Sequence, residues 1–217
     1  MNREHPQLQL AIDVLSTADA LAVAEKVYPH FDIAEIGTPL IIEEGVAALE
    51  KVKSRFPEKR YLADLKIMDA GFIEASSAFR RGADLVTVLG AADDRTISQA
   101  LEAVAKYGGR IMADLINVPD PLVRARRLEQ LGVPVLCVHT AFDRQAPGVD
   151  PMSELSLVRP VVRCELAVAG GLKLENVGRA VEGGGDIVVV GGAIINHADP
   201  GCAAAEIMAR IREARRE

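Results

Sequence analysis

Long apolar runs are absent from this sequence. No run approaches the roughly 18 consecutive apolar residues that a membrane-spanning helix needs, and residues 1–6 lack the apolar centre of a secretory signal. Basic residues are not in excess either, because 25 lysine and arginine residues stand against 31 aspartate and glutamate residues, for a formal net charge of −6. These absences predict a cytoplasmic protein that binds no membrane and no nucleic acid, and whose partner is a small molecule.

Cysteine is scarce and shows no paired spacing. The three cysteines, Cys137, Cys164 and Cys202, form no C-x-x-C or other metal-type pattern. The first two lie in apolar, strand-like runs, and the third lies in an alanine-rich segment typical of a helix. We therefore predict three reduced packing residues.

The sequence does contain a regular alternation of short β-branched runs and helical patterns. The runs recur about every 25 residues, the length of a βα unit. The eight predicted strands are 8–13, 32–37, 60–66, 84–90, 110–115, 133–138, 164–168 and 186–190. Without a linker or low-complexity tract, this pattern predicts one α/β domain over residues 1–217, a parallel eight-stranded (β/α)₈ TIM barrel. An open doubly wound sheet is the alternative.

Local signals set the expected helices. Ser16 or Thr17 is placed to cap the first helix, Asp93 and Asp94 to start another, and Pro121 to occupy a first turn. One helix is predicted over 43–55, after the second strand.

Titratable side chains stand at many of the predicted strand ends. In a (β/α)₈ barrel these ends form the rim that carries the active site. The predicted rim residues are Asp13, Glu35, Asp64, Lys66, Asp114 and His139. Six such groups exceed what a packed core needs and predict a catalytic site.

The segment from Asp64 to Asp69 reads D-x-K-x-x-D. Residues i and i+2 of a strand share a face, so we expect Asp64 and Lys66 to point the same way, with Asp69 in the turn beyond. Two carboxylates raise the pKa of a lysine and lower their own. Lys66 is then an acid or electrostatic stabiliser and a poor former of Schiff bases; the alternative is a surface salt bridge.

Glu35 and Asp64 lie at adjacent predicted strand ends. Two carboxylates suit a hard cation, Mg²⁺ with Mn²⁺ possible, which would act as a Lewis acid toward an enediolate. The alternative is that both acids pair with Lys66.

Two glycine pairs follow the last two strands, Gly170-Gly171 and Gly191-Gly192. Exposed backbone N–H groups at such turns bind phosphate, although tight turns alone would also require glycine. His139 follows a buried-type strand, where a neutral imidazole can move a proton near pH 7. Its alternative is a structural role.

Five segments resemble the 3-hexulose-6-phosphate synthase family of the orotidine-5′-phosphate decarboxylase suprafamily. They are 63–71, 85–90, 138–146, 167–171 and 190–194, within a similarity that covers residues 8–205 in one register. The resemblance implies a homodimeric (β/α)₈ barrel that uses Mg²⁺. It implies reversible condensation of formaldehyde with D-ribulose 5-phosphate, giving D-arabino-3-hexulose 6-phosphate.

The resemblance also implies roles for individual residues. Glu35 and Asp64 would ligate the metal, and Asp13, Lys66 and Asp69 would surround the substrate. His139 would shuttle the C1 proton and the glycine pairs would hold the phosphate. Asp69 would reach into the neighbouring subunit's site.

The nearest competing family is 3-keto-L-gulonate-6-phosphate decarboxylase, which shares the D-x-K-x-x-D motif. That family typically has arginine at the positions of Phe142 and Gly192 and glutamate at the position of Asp114. All three differences favour the synthase family. A non-catalytic sugar-phosphate sensor and, more weakly, a sugar-phosphate epimerase remain as alternatives. The proline-rich loop 116–121 and Pro147 depart from the synthase pattern as well.

Overall fold

Eight parallel strands pair in chain order, and the last strand returns to the first, so the sheet closes on itself. The computed structural model describes residues 6–145 and 152–214. The strands are β1 Gln7–Ile12, β2 Ile33–Ile36, β3 Arg60–Ile67, β4 Leu85–Leu89, β5 Arg110–Asp114, β6 Val135–His139, β7 Glu165–Ala169 and β8 Ile187–Val190. The closing pair aligns Leu8 with Val188. This confirms the predicted (β/α)₈ barrel and rules out the open sheet.

Helices follow the strands along the chain. Within the described ranges they are α1 Thr17–Val27, α2 Thr38–Glu44, α3 Ala47–Arg55, α4 Gly71–Phe79, α5 Asp94–Tyr107, α6 Pro121–Gln130, α7 Met152–Val158, α8 Val177–Glu182, α9 Gly192–Ile195 and α10 Pro200–Ala214. None of the helices in these ranges combines the length and the apolar character needed to span a bilayer.

Three of these helices begin at the residues predicted to start them. The Ser16 hydroxyl accepts the N–H of Asp19 at 3.1 Å at the start of α1. The Asp93 carboxylate accepts the N–H of Arg95 at 2.8 Å at the start of α5. Pro121 occupies the first turn of α6, where a missing N–H costs no hydrogen bond.

The single helix predicted over 43–55 is wrong, because two helices occupy the region after β2. Gly45 has φ +74 and ends α2, and α3 starts two residues later. A positive φ is easy for glycine and stops the helix there. The additional helix α2 places Thr38 beside the rim.

Apolar residues fill both faces of the barrel wall. One core cluster lies inside the barrel and a larger one lies between strands and helices, which is why the strands read as nearly continuous apolar runs. Alanines occupy the inner face near the C-terminal ends of β1 and β7, at Ala11 and Ala169. These small side chains leave room above the inner core.

The three cysteines are free. Cys137 is buried inside the barrel, as its packing role predicts, and Cys164 is partly buried just before β7. Cys202 is exposed, so its predicted packing role is wrong. It lies in the first turn of α10 on the side away from the core, because other residues form the apolar face of that helix.

The predicted departure at Pro147 lies outside the described residues. In the other proline-rich loop, Asn117 takes φ 54, and Asp120 caps α6 by accepting the N–H of Val123 at 3.0 Å.

Candidate active site

A cavity of about 870 Å³ opens at the C-terminal ends of the strands. All six titratable residues predicted for the rim line it, and so do both glycine pairs. The cavity is therefore a single site to which all eight strands lead.

Asp64 and Lys66 meet inside this cavity, but through an irregularity in β3. The pairing of β3 with β4 shifts register between Ala63 and Ile67, and Lys66 has φ 47. The strand predicted over 60–66 is confirmed, and Asp64 and Lys66 point the same way as predicted, although the strand is irregular at this point. The Lys66 ammonium donates to Asp64 Oδ2, and Asp64 is only 4% exposed, so the pair is no surface salt bridge.

Hydroxyl groups hold the Asp64 carboxylate in place. Thr87 donates to Oδ1 at 2.7 Å, and Thr38 donates to Oδ2 at 2.8 Å. The backbone N–H of Lys66 donates to Thr87 at 2.9 Å. Every group around the ion pair is thus fixed by a neighbouring strand or helix.

The charges of the pair support each other. Burial tends to raise the pKa of Asp64, but the Lys66 charge and the hydrogen bonds from Lys66 and Thr87 outweigh it and lower that pKa. Burial tends to lower the pKa of Lys66, and the Asp64 charge reverses this, so the pKa of Lys66 is raised. This agrees with a charged lysine.

Asp69 does not join this cluster within its own barrel. It is exposed, its Oδ1 accepts the N–H of Ala70 at 2.7 Å, and it does not line the cavity. The prediction that two acids and a base meet at one strand end is therefore wrong for Asp69. Ala70 has φ 53, a left-handed conformation that turns the chain outward here.

Glu35 is one of the buried acids of the cavity. Burial, then the charges of Asp64 and Asp13, raise the pKa of Glu35 well above its ordinary value. Gln9 Nε2 donates to Glu35 Oε2 at 2.6 Å. The pKa of Asp13 is also raised, by loss of solvent and by Asp64, although Asp13 keeps water contact at the mouth.

These groups fit a hard divalent cation. Three carboxylates repel one another here, and Gln9 Oε1 is a buried oxygen without a hydrogen-bond partner among the described residues. Carboxylate and amide oxygens are the donors that Mg²⁺ prefers. Glu35 and Asp64 are the residues that would hold such an ion.

His139 and Asp114 form a pair across β5 and β6. His139 Nδ1 lies 2.8 Å from Asp114 Oδ2, and the N–H of Ile116 donates to Asp114 Oδ1 at 2.9 Å. A carboxylate accepts, so Nδ1 carries the ring proton and Nε2 is free to accept one. This arrangement is typical of a general base.

The glycine turns form the opposite part of the cavity wall. Gly170 and Gly171 have φ +93 and +71. A Cβ at Gly170 would lie 2.1 Å from the carbonyl oxygen of Thr140, so no other residue fits this turn. Asn196 lies over the second pair, with its Nδ2 3.3 Å from the Cβ position of Gly192.

Several residues of the cavity escaped the sequence analysis. Thr38, Thr87 and Gln9 support the acids, and Lys173 and Asn196 stand beside the glycine turns. A signal existed for Thr87 and Gln9, because a polar residue at an inward position of an apolar strand needs a partner. Thr38 had no such signal, since α2 was not predicted.

Two of the three positions that separate the competing families, Phe142 and Gly192, lie at the mouth. Phe142 is 82% exposed, and Gly192 is the first residue of α9. Both line the cavity, whose cations among the described residues are Lys66 and Lys173.

The sequence profile described as "Orotidine 5'-phosphate decarboxylase / HUMPS family" matches residues 6–207. A 3-hexulose-6-phosphate synthase of Bacillus subtilis (strain 168) is 43% identical over 194 residues, which cover 89% of this chain and 92% of the relative. The crystal structure of 3-hexulose-6-phosphate synthase from Salmonella typhimurium superposes with a TM-score of 0.93 at 41% identity, covering 96% of this chain and 99% of that one.

A decarboxylase structure is also similar, at lower identity. The 3-keto-L-gulonate-6-phosphate decarboxylase from Vibrio cholerae O1 biovar El Tor str. N16961 superposes with a TM-score of 0.82 at 26% identity. The two chains are covered to 96% and 98%. The fold is thus common to both groups, while the sequence is more similar to the synthases.

Proposed function

This chain belongs to the orotidine 5′-phosphate decarboxylase / HUMPS family, and from that membership we propose that it catalyses the reversible condensation of formaldehyde with D-ribulose 5-phosphate. The product would be D-arabino-3-hexulose 6-phosphate. The name of the Bacillus subtilis relative supports this reaction.

One structural observation carries the proposal. A histidine whose Nε2 is free to accept a proton and a lysine held in its charged form line the same cavity as two glycine turns. A base, a cation and a phosphate nest are what formation of an enediolate from a sugar phosphate requires.

Binding would begin at the glycine turns. The phosphate would lie on the backbone of Gly170, Gly171, Gly191 and Gly192, where no side chain shields the N–H groups. Lys173, which lines the cavity beside them, would add a cation at the mouth.

Proton transfer would follow at the other end of the sugar. His139 Nε2 takes the C1 proton, and Lys66 stabilises the negative oxygen that develops. The carbanionic C1 then forms a bond to the formaldehyde carbon, and the protonated imidazole can neutralise the new alkoxide. Asp114 keeps the His139 ring oriented, and Asp13 would lie beside the substrate.

We propose Mg²⁺, with Mn²⁺ as an acceptable substitute, at Glu35 and Asp64. When bound, the ion would supply a Lewis acid for the sugar oxygens. Gln9 positions Glu35, and the two threonines position Asp64. These residues hold the donor oxygens in place before the ion arrives.

Decarboxylation of 3-keto-L-gulonate 6-phosphate is less well supported. Its substrate carries a carboxylate as well as a phosphate, and the related decarboxylases are expected to place arginine at two positions that are Phe142 and Gly192 here. The described cavity has neither of these additional cations.

We also propose a homodimer in which Asp69 reaches the partner's site. Asp69 is exposed, and so are the nearby apolar side chains of Met68 and Ile73, to 54% and 70%. Burial of these apolar side chains by a partner subunit would be favourable, which supports the proposal.

The test is formaldehyde consumption by the purified protein with D-ribulose 5-phosphate and Mg²⁺, run beside CO₂ release from 3-keto-L-gulonate 6-phosphate. We expect formaldehyde loss to dominate. Dominant CO₂ release would show instead that the protein acts as a decarboxylase. Tight binding of ribulose 5-phosphate without turnover would indicate a sensor, and conversion to xylulose 5-phosphate an epimerase.

Metal dependence is tested separately. Excess chelator should abolish formaldehyde consumption, because the Lewis acid contributes several kcal/mol to transition-state stabilisation. Added Mg²⁺ should restore it. Full activity in excess chelator would contradict the assignment of Glu35 and Asp64.

A further inference from the structure

Three side chains with different metal-binding atoms meet on β5 and β6. In the part of the chain that the structure describes, the ligand atoms of Asp114, Cys137 and His139 all lie within 4.8 Å of one another. Asp114 pairs in register with Cys137, and Cys137 and His139 are two residues apart on β6, facing the same side. All three line the cavity.

The chemistry of this set differs from that of the carboxylate site. A thiolate and an imidazole are ligands for Zn²⁺ and related transition metals, whereas Mg²⁺ takes oxygen. Three protein ligands with one position open to a cavity match the usual ligand number of accessible zinc sites. We propose that Asp114, Cys137 and His139 form a second site that binds Zn²⁺ or Co²⁺ and thereby inhibits the enzyme.

Inhibition follows from the ring nitrogen that faces the cluster. His139 Nδ1 lies beside Asp114, so a metal here would take the Nδ1 lone pair. The ring proton then moves to Nε2, and the thiol proton of Cys137 goes to solvent. An Nε2 that carries a proton cannot accept another, so the base is lost.

The first test measures binding without using activity. Co²⁺ is added to the purified full-length protein in saturating Mg²⁺, and we expect a thiolate-to-cobalt charge-transfer band in the near ultraviolet, which added Zn²⁺ removes. Cys137→Ala should abolish the band. Cys164→Ala and Cys202→Ala are matched controls that remove the other free thiols, and both should retain it.

The second test rests on the proposed function. Zn²⁺ should inhibit formaldehyde consumption by the wild type and by both control variants, and Mg²⁺ in excess should not relieve it. Cys137→Ala should need more than about tenfold higher Zn²⁺ for the same inhibition. If circular dichroism shows that Cys137→Ala is unfolded, Cys137→Ser takes its place in both tests, because serine nearly keeps the side-chain volume.

Two results would overturn the inference. One is a wild-type protein without a cobalt–thiolate band, and the other is a band that persists in both Cys137 variants. If the wild-type protein shows the cobalt band but does not consume formaldehyde, the proposed function is refuted while the metal site is retained.

Discussion

Asp114 uses both carboxylate oxygens, one toward the backbone of Ile116 and one toward His139. The residue is buried, so neither bond competes with bulk water. Its role is to decide which imidazole nitrogen carries the proton. The pair is therefore expected to act as one unit.

We predict that Asp114→Asn lowers kcat by about a hundredfold or more, with little change in KM for ribulose 5-phosphate. An amide can donate to Nδ1, which moves the ring proton to Nε2 and removes the base. His139→Asn should have a similar effect. Steady-state kinetics in saturating Mg²⁺ measures both.

The double variant provides the control for this prediction. If the two residues act as a unit, Asp114→Asn combined with His139→Asn loses no more activity than His139→Asn alone. If instead the activity losses of the two single variants, expressed as free energies, add up in the double variant, Asp114 and His139 act independently.

The six rim residues could be predicted from strand ends, because the strand order of a barrel brings those ends together. Lys66 and Asp69 show where this argument stops. The register shift at Lys66 and the left-handed conformation of Ala70 depend on packing between β3, β4 and α4. Lysine and alanine rarely adopt a positive φ, so the residue types in the motif do not predict one. The sequence therefore predicted which groups meet at Asp64 but not the path of the chain beyond it.

At the scale of elements, Arg124 of α6 holds the loop between β4 and α5 in place through hydrogen bonds. Its guanidinium donates to the carbonyl oxygens of Gly90 and Ala92 and pairs with Asp94. Gly90 in turn donates its N–H to the Asp114 carbonyl oxygen at 2.6 Å. The loop thus connects a surface ion pair to the rim.

The Asp94→Asn variant tests the ion pair between Asp94 and Arg124 through the pH dependence of protein stability. Hydrogen bonds from Arg124 and then Arg127 lower the pKa of Asp94. A carboxylate whose pKa is lower in the folded state contributes its full stabilisation at pH values above its pKa in the unfolded state, about 3.9. This contribution is lost as the pH falls through the pKa of the folded state. We expect Asp94→Asn to reduce the free energy of unfolding by about 1 kcal/mol or less at pH 6.

Urea unfolding of the wild type and the variant from pH 6 to pH 2 measures the difference, which should shrink below about pH 4. Asp93→Asn is the matched control, because asparagine caps a helix as well as aspartate does. An equal loss in both variants, or a loss that is constant with pH, would contradict the ion pair.

Strands were easier to predict than helices for a physical reason. Each strand is buried on both faces, so its apolar run survives in the sequence, and the predicted limits differ from the observed ones by at most two residues. The helix break at Gly45 left no comparable mark, since glycine is tolerated inside a helical pattern. With α2 unpredicted, Thr38 could not be connected with Asp64.

At the scale of the whole molecule, the proposed dimer makes a prediction about mixed subunits. Asp69 would serve the partner's site, while His139 serves its own barrel. Coexpressed Asp69→Ala and His139→Asn chains should therefore recover about a quarter of wild-type activity, since half of random pairs are mixed and each has one intact site.

A second pair of variants is the control. His139→Asn with Asp114→Asn places both defects in the same barrel, so mixing should restore nothing. Size-exclusion chromatography with light scattering reports the mass of each species. A monomer, or recovery that is equal in both pairs, would refute the shared site.

Closure of the barrel by β8 against β1 also affects how the protein is made. During synthesis, β1 emerges first and must wait about 180 residues for β8. At typical bacterial and eukaryotic elongation rates this wait lasts roughly ten to thirty seconds. An unpaired strand edge is a template for association with other chains, so we expect the nascent protein to need protection of the free edge of β1 until β8 has been translated.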